Sequence, residues 1–250
     1  MSGHSKWATI KRKKGALDAA RGKVFTKLIR ELTTAARMGG GDINGNPRLR
    51  KAVADAKAQQ MSADSIKRAI QRGTGEIEGA TYDEVVYEGT GPGGTLIMVE
   101  SMTDNRNRTV AELRKVFERH NGALGQSGTA GWAFDRLGTI SLDRSGVTEE
   151  ALMEAVVEAG ADDYRDEGEV WVVYTPIDQF DAVLRALEGA KLPIQDSKVA
   201  YVPKVKKPLS GRDAEVCLNL VDALDEHDDV QNVFADFDVS DEELQRIAGG

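Results

Sequence analysis

The sequence of 250 residues has little of what disulfide-bonded, metal-binding and membrane proteins need. It contains one cysteine and three histidines, His4, His120 and His227, so no intrachain disulfide can form and no metal-ligand spacing occurs. No apolar run approaches the length of a membrane span, and no apolar segment follows the N-terminal charges as in a secretion signal. We therefore expect a cytoplasmic protein that uses no metal or cofactor and no membrane partner.

Sequence motifs of catalysis are scarce as well. The glycines between Gly89 and Gly94 are not followed by the lysine and hydroxyl residue of a phosphate-binding loop, so a hairpin turn is the better interpretation. The serine in the segment from Gly125 to Gly128 lacks the strand-to-helix context of a nucleophile elbow. The acidic run from Asp225 to Asp229 indicates an exposed turn rather than a divalent-ion site. We expect no enzymatic activity and no catalytic residue.

Charge is distributed unevenly along the chain. Residues 1–72 hold 17 basic and 5 acidic side chains, a net charge of +12, whereas the remainder carries −20 and the whole chain −8. A long segment of one sign favours a polyanion-binding surface over an ordinary solvated one. The sequence therefore indicates that the N-terminal third binds nucleic acid.

Periodicity predicts three helices in this basic segment. The first runs from Ala16 to Met38, with one apolar side and a row of cations on the other. The second runs from Pro47 to Gln60, and the third begins after Ser62 and ends at Gly73. Residues 2–15 show no helical pattern and are interpreted as a basic arm.

The predicted nucleic-acid-binding residues lie in the arm and along the first two helices. Within the arm, Trp7 either packs against the helices or stacks on a base, and the sequence does not decide between the two. The complete predicted set is His4, Lys6, Trp7, Lys11, Arg12, Lys13, Lys14, Lys23, Lys27, Arg30, Arg37, Arg48, Arg50 and Lys51.

After residue 78 the apolar periodicity changes to the alternation that is typical of strands. Residues 137–204 show the order strand, helix, strand, strand, helix, strand, which is the ferredoxin-like arrangement. We expect a strand near Trp132 to Phe134, and after residue 204 one helix and one strand that complete an earlier α/β unit. The prediction is an α+β multidomain fold: a helical domain over 1–78, a discontinuous α/β domain over 79–136 and 205–250, and an inserted ferredoxin-like domain over 137–204.

The ferredoxin-like segment is strongly acidic. Residues 143–188 contain 13 acidic and 3 basic side chains. This composition suits either a solvated exterior that aids solubility or a docking surface for a basic protein partner.

Several motifs together give the chain a resemblance to a known family. The segments GHSKWATIKRKK, GGGDINGNPRLRKAVADAKAQQM, IKRAIQRGTGE, YEGTGPGG, DNRNRT and NVFADFDV occur in this order over nearly the whole length. With them the chain resembles the YebC/PmpR family of probable transcriptional regulators. The resemblance implies a three-domain α/β architecture, no catalytic activity and a cytoplasmic location.

The resemblance leaves the nucleic-acid target divided. Family members are described as DNA-binding regulators, while similar mitochondrial proteins are translational activators and some bacterial relatives are linked to stalled ribosomes. We expect a non-enzymatic nucleic-acid-binding regulator, with DNA as the first target and ribosomal RNA as the alternative. A protein-interaction adaptor that uses the acidic segment is a further alternative.

Overall fold

The fold is described from a computed structural model over residues 17–249, with side chains from residue 22 onward. Within residues 17–249, eight α-helices and ten strands form an α+β fold with three main hydrophobic cores. The helices are α1 Leu17–Gly39, α2 Pro47–Ala58, α3 Ala63–Thr74, α4 Arg106–Arg119, α5 Glu149–Ala159, α6 Phe180–Gly189, α7 Gly211–Asp225 and α8 Asp241–Gly249. The strands are β1 Asp83–Gly91, β2 Thr95–Thr103, β3 Ala123–Leu124, β4 Phe134–Asp143, β5 Asp163–Asp166, β6 Val170–Thr175, β7 Ile194–Pro203, β8 Lys207–Leu209, β9 Val230–Ala235 and β10 Phe237–Val239.

The first core belongs to a helical unit made of α1, α2 and α3. Its centre is formed by Leu32 of α1, Leu49 of α2 and Ile66 of α3. The side chain of Asn46 accepts a hydrogen bond from the backbone N–H of Leu49, and its amide group donates to the carbonyl of Ala35. Asn46 therefore caps α2 and also fixes the start of α2 against α1.

The prediction that Gly73 ends the third helix was wrong by two residues. The helix continues to Thr74, and Gly75 takes the left-handed cap with φ 80°. Gly73 has a different role, because a Cβ atom at this position would lie 2.3 Å from the carbonyl oxygen of Thr33. The missing side chain lets α3 pack directly on the backbone of α1.

The second core lies in an α/β unit whose sheet has the order β3-β1-β2-β9. Helices α4 and α7 pack on one face, where Phe117, Leu218 and Val233 are all buried. As predicted, the glycine-rich segment after β1 is a turn, formed by Pro92–Gly94, and it returns the chain into β2.

The C-terminal part of this unit departs from the sequence prediction. The expected last strand is divided at Asp236, whose carboxylate accepts a 2.8 Å hydrogen bond from the backbone N–H of Leu96. Beyond Asp236, β10 turns away to pair in parallel with β8. The residues of β10 were expected as part of that last strand, whereas the short strands β3 and β8 and the final helix α8 were not predicted. Trp132 lies in a 3-10 turn that precedes β4 instead of in a strand.

The third core belongs to the ferredoxin-like unit, which is inserted between β3 and β8. Its elements follow the predicted order β4, α5, β5, β6, α6, β7, and its sheet has the order β5-β6-β4-β7. Leu152 of α5, Val173 of β6 and Leu187 of α6 are buried between the helices and the sheet. The exact domain boundaries given above stay predictions.

The two α/β units share one spatial plan. In the first, β1 lies between β2 and β3 with β9 on the outer side of β2; in the second, β6 lies between β4 and β5 with β7 outside β4. The chain connection differs, because a hairpin joins β1 to its inner neighbour β2 in the first unit, whereas a hairpin joins β6 to the edge strand β5 in the second. Among residues 17–249, none of the helices combines the length and the hydropathy that a bilayer crossing requires.

Candidate nucleic-acid interface

The cationic side of α1 faces another part of the same chain. The Lys27 ammonium lies 2.8 Å from a carboxylate oxygen of Asp225, and the Lys23 ammonium donates to the carbonyl of Glu226 at 3.1 Å. Both partners belong to the acidic run between α7 and β9. The run is a turn, as predicted, but it is not fully exposed, because Asp229 is buried where this turn docks the helical unit onto the first α/β unit.

Asp229, at the end of the same run, is the centre of this contact. Its side chain is 2% exposed and accepts hydrogen bonds from Arg30 at 2.5 Å, from Arg108 of α4 at 2.8 Å and from the Thr109 hydroxyl at 2.6 Å. Burial alone would raise the pKa of Asp229, but these donors outweigh burial and hold the pKa at about 2. Arg30 is therefore part of a buried ion pair, with 11% of its side chain exposed.

Arg48 is engaged in a similar way on the other side of the helical unit. Its guanidinium lies 2.6 Å from a carboxylate oxygen of Glu31 on α1 and 2.6 Å from one of Glu84 on β1. Burial works against the charge, but the two carboxylates prevail and raise the pKa of Arg48 above its ordinary value. Arg48 therefore bridges the helical unit and the sheet.

Three further predicted residues have local partners and stay partly open. Arg37 donates to the carbonyl of Tyr82 in the connection to β1, Arg50 donates to the carbonyls of the loop before α2, and Lys51 pairs with Asp55 one turn along. The guanidinium groups of Arg37 and Arg50 lie at the surface. The arm residues His4, Lys6, Trp7, Lys11, Arg12, Lys13 and Lys14 lie outside the described residues.

Helix α3 presents a different set of cations. Lys67, Arg68 and Arg72 are exposed on the side opposite the buried Ile66 and Ala69. Over residues 22–249, the side chains of these three cations have no ion-pair or hydrogen-bond partner. They form the open cationic face of the helical unit, defined as Lys67, Arg68 and Arg72.

Comparisons with known proteins cover almost the entire chain. Residues 5–76 match the family model described as the N-terminal domain of the TACO1/YebC protein, and residues 82–237 match the model of its second and third domains. The chain belongs to the TACO1/YebC family. Because the two models divide the sequence at residues 77–81, they separate the helical unit from the two α/β units of this TACO1/YebC protein.

Relatives of this TACO1/YebC protein are similar over their full length. A probable transcriptional regulatory protein of Geobacter sulfurreducens is 53% identical over 99% of this chain and 100% of the relative. One of the same description from Desulforapulum autotrophicum is 51% identical over 97% of this chain and 98% of the relative. The crystal structure of a conserved hypothetical protein from Aquifex aeolicus has 42% identity and a TM-score of 0.85, over 92% of this chain and 95% of that one. These names support a regulatory role for the family.

Reactive side chains of this TACO1/YebC protein are held in structural contacts. Burial raises the pKa of the Cys217 thiol to about 11, so the thiolate form that attacks substrates is scarce at neutral pH. His227, Glu112 and Asp229 lie close enough together to suggest a metal site. However, one ring nitrogen of His227 contacts Glu112 at 2.9 Å and the other accepts from the backbone N–H of Asp229. Asp229 is already engaged by two arginines, so the cluster fits an ion-pair network better than a cation.

The sequence predicts the basic helical unit and an exposed position for Lys67, Arg68 and Arg72, but it does not show that Lys27, Arg30 and Arg48 are paired with carboxylates. The α1 row was selected because it lies opposite the apolar stripe, and that same geometry suits docking onto an acidic turn. The signal for α3 was present in its inward Ile66, Ala69 and Ile70, which leave Lys67, Arg68 and Arg72 outside. Contact of nucleic acid with the 14 residues selected from the sequence stays a prediction.

Proposed function

We propose that this protein is a non-enzymatic, cytoplasmic regulator of gene expression that binds nucleic acid through its helical unit. The observation that carries the proposal is the open cationic face on α3, where three cations are exposed and unpaired within residues 22–249. Unpaired surface cations can exchange their counterions for phosphates, whereas Arg30 and Arg48 would first have to leave carboxylate partners. The basic arm adds charge of the same sign.

DNA is the first target that we propose. The relatives are named probable transcriptional regulatory proteins, and DNA is the template of transcription. RNA is the second candidate, favoured by the aromatic Trp7 among the cations of the arm, because unpaired bases stack on aromatic rings. On either target, phosphate contacts from α3 fix position without reading bases.

A different observation favours an adaptor role for the ferredoxin-like unit. Met153 and Val157, one turn apart on α5, are 51% and 73% exposed, and acidic side chains surround them on the same helix. An apolar pair within a negative surface suits a basic, amphipathic protein segment. This role is compatible with nucleic-acid binding by the helical unit.

The proposal is tested with two triple variants that change net charge equally. One replaces Lys67, Arg68 and Arg72 with Gln, and the control replaces Arg185, Lys191 and Lys198 of the ferredoxin-like unit, which are also exposed. Affinity for a duplex DNA and for an RNA hairpin is measured from low to high salt. The slope of log affinity against log salt should become shallower by about 0.9 for each lost duplex contact in the α3 variant only.

Two results would contradict this proposal. If both triple variants reduce binding equally, the effect comes from net charge and the assignment to α3 is wrong. If the wild-type protein binds neither nucleic acid at low salt, the proposed function is wrong.

A further inference from the structure

Trp132 is unusual among the large apolar side chains of this protein. It is 69% exposed, whereas Trp171 in the ferredoxin-like unit is 5% exposed. The neighbours two positions away on either side are buried, with Ala130 at 0% and Phe134 at 5% exposed. Both neighbours pack in a small apolar cluster with Met98 of β2. The backbone that carries Trp132 is therefore anchored, and the ring projects outward from a fixed turn.

A carboxylate organises the loop that leads into this turn. Glu88 of β1 accepts hydrogen bonds from the backbone N–H groups of Gly128 at 3.0 Å, Ala130 at 2.6 Å and Gly131 at 2.8 Å. Burial would raise the pKa of Glu88, but the three donors prevail and hold it below its usual value. Glu88 thus remains charged at neutral pH and holds the loop in one conformation.

The orientation of the indole ring is fixed as well. Its Nε1–H donates to the carbonyl of Thr129 at 3.2 Å, so one edge of the ring is held against the loop. Most of the residue is nevertheless exposed. A rigid aromatic ring loses little conformational freedom when a flat ligand stacks on it.

One cation, Lys204, contacts the backbone of Trp132. The Lys204 ammonium donates to the backbone carbonyl of Trp132 at 3.0 Å and lies 3.5 Å from Asp135. Both members of this ion pair are about half exposed, so the pair contributes little and the ammonium can turn to a phosphate. Lys206 and Lys207 follow within three residues, but Lys206 pairs with Glu167 at 2.9 Å and Lys207 donates to the carbonyl of Gly94, so Lys204 is the cation that this site offers to a phosphate.

From this arrangement we infer that Trp132 is a stacking platform for an unpaired base of single-stranded RNA, with Lys204 beside it to contact the adjacent phosphate. The inference rests on the proposed function and extends the binding surface beyond the helical unit. An aromatic ring next to lysines is the combination by which proteins hold single strands without reading their sequence. Duplexes have no unstacked base to offer and should not use the platform.

A protein partner is the competing occupant of an exposed tryptophan. The observations favour a base because the half-exposed Lys204 ammonium lies at the backbone of Trp132, where it can contact a phosphate, and because the loop fixes the indole ring by one edge. Val205, which is 77% exposed and next to Lys204 in sequence, distinguishes a protein partner from an RNA base. It would add apolar contact to a protein interface but adds nothing to base stacking.

The experiment compares the full-length protein with Trp132→Ala, Trp132→Phe and Val205→Ala. The probe is a 12-nucleotide single-stranded RNA of mixed sequence, and the same sequence as a duplex is measured in parallel. Trp132→Ala should weaken single-strand binding by about 5- to 150-fold, while Trp132→Phe and Val205→Ala keep most of it. Duplex affinity should be unchanged in all three. Circular dichroism confirms that each variant is folded.

Other results overturn the inference in distinguishable ways. Equal single-strand affinity of wild type and Trp132→Ala overturns the platform and leaves the proposed function intact. Equal loss of single-strand and duplex binding in Trp132→Ala also overturns it, because stacking on an unpaired base is then not the interaction. If RNA binding is unchanged while Trp132→Ala and Val205→Ala both lose a protein partner, the site is a protein-docking surface. Failure of the wild type to bind any nucleic acid overturns the proposed function itself.

Discussion

Helices α1 and α3 pack side by side in one core, and both carry cations on the side away from it. The cations of the two helices differ in whether the protein's own carboxylates pair with them. Lys27 and Arg30 of α1 face carboxylates of the turn between α7 and β9. Arg68 and Arg72 of α3 have no such partner within residues 22–249. The difference shows that sequence charge locates a basic unit, while tertiary packing decides which of its cations remain available to an external anion.

The largest effect is expected from removing Asp229, the carboxylate at the centre of the contact between α1 and the turn that precedes β9. Asp229→Ala should lower the free energy of unfolding by about 3–5 kcal/mol, because it leaves Arg30 buried without its counter-charge. Urea unfolding measures the loss. Asp228→Ala, an exposed neighbour, is the control and should change stability by less than about 0.5 kcal/mol. Equal effects of the two changes would show that Asp229 does not hold the units together.

The same carboxylate gives the α1 contact a pH dependence. The pKa of Asp229 is about 2 in the folded protein and 3.8 ordinarily, so its contribution is complete above pH 4 and is lost as pH falls toward 2. The stability difference between wild type and Asp229→Asn should therefore shrink by about 2 kcal/mol between pH 5 and pH 2. Urea unfolding at a series of pH values measures it. A difference that is constant with pH would contradict a lowered pKa.

A third prediction concerns how the two helices are fixed to one another. Gly73→Ala should destabilise the protein by about 1–3 kcal/mol, because the new methyl group meets the backbone of α1. Gly22→Ala is the matched control, since a Cβ at that exposed helical position has nothing within 4 Å and should stabilise by up to about 1 kcal/mol. Thermal unfolding distinguishes the two signs. Stabilisation by both changes would mean that α3 can shift away from α1 freely.

The smallest expected effect on stability concerns two surface cations, the paired Lys27 of α1 and the unpaired Arg68 of α3. A double-mutant cycle of Lys27→Ala and Asp225→Ala should give a coupling of about 0.2–1 kcal/mol that weakens in 1 M salt. Arg68→Ala should leave stability within about 0.5 kcal/mol of wild type and weaken nucleic-acid binding. The distinction between α1 and α3 fails if Arg68→Ala costs as much stability as Lys27→Ala and leaves binding unchanged.

Local signals in the sequence predicted most of this fold. The apolar repeat of α1, the Asn46 and Ser62 caps and the alternation of the ferredoxin-like segment each depend on residues that are close in sequence. Strands β8 and β10 have three residues each and exist because they pair with one another across the chain. No local sequence pattern indicates such a pairing. No local pattern indicates the role of Gly73 either, because Gly73 contacts the backbone of Thr33, 40 residues earlier in the chain.

The candidate site was predictable only in part for the same reason. The acidic run at residues 225–229 and the basic row of α1 were both visible in the sequence. The ion pairs between them join residues about 200 positions apart, and no local pattern predicts such a contact. The sequence predicted a strand near Trp132 to Phe134, and the apolar residues Ala130 and Phe134 lie two positions from Trp132 on either side. The structure buries those neighbours and leaves the ring exposed, an outcome that depends on Glu88, more than 40 residues away.

The ferredoxin-like unit enters and leaves through two neighbouring strands, β4 and β7, whose register begins at Phe134 and Pro203 and includes Leu137 opposite Ala200. Cα atoms of such antiparallel partners lie about 4.5–5.5 Å apart, so a two-residue hairpin turn could close the chain there after residues 138–199 are excised. Phe134 and Tyr201 would keep their packing on Met98. The ferredoxin-like unit is thus connected to the rest of the chain only through β4 and β7. A single insertion or deletion could add or remove it without changing the strand order of the neighbouring sheet.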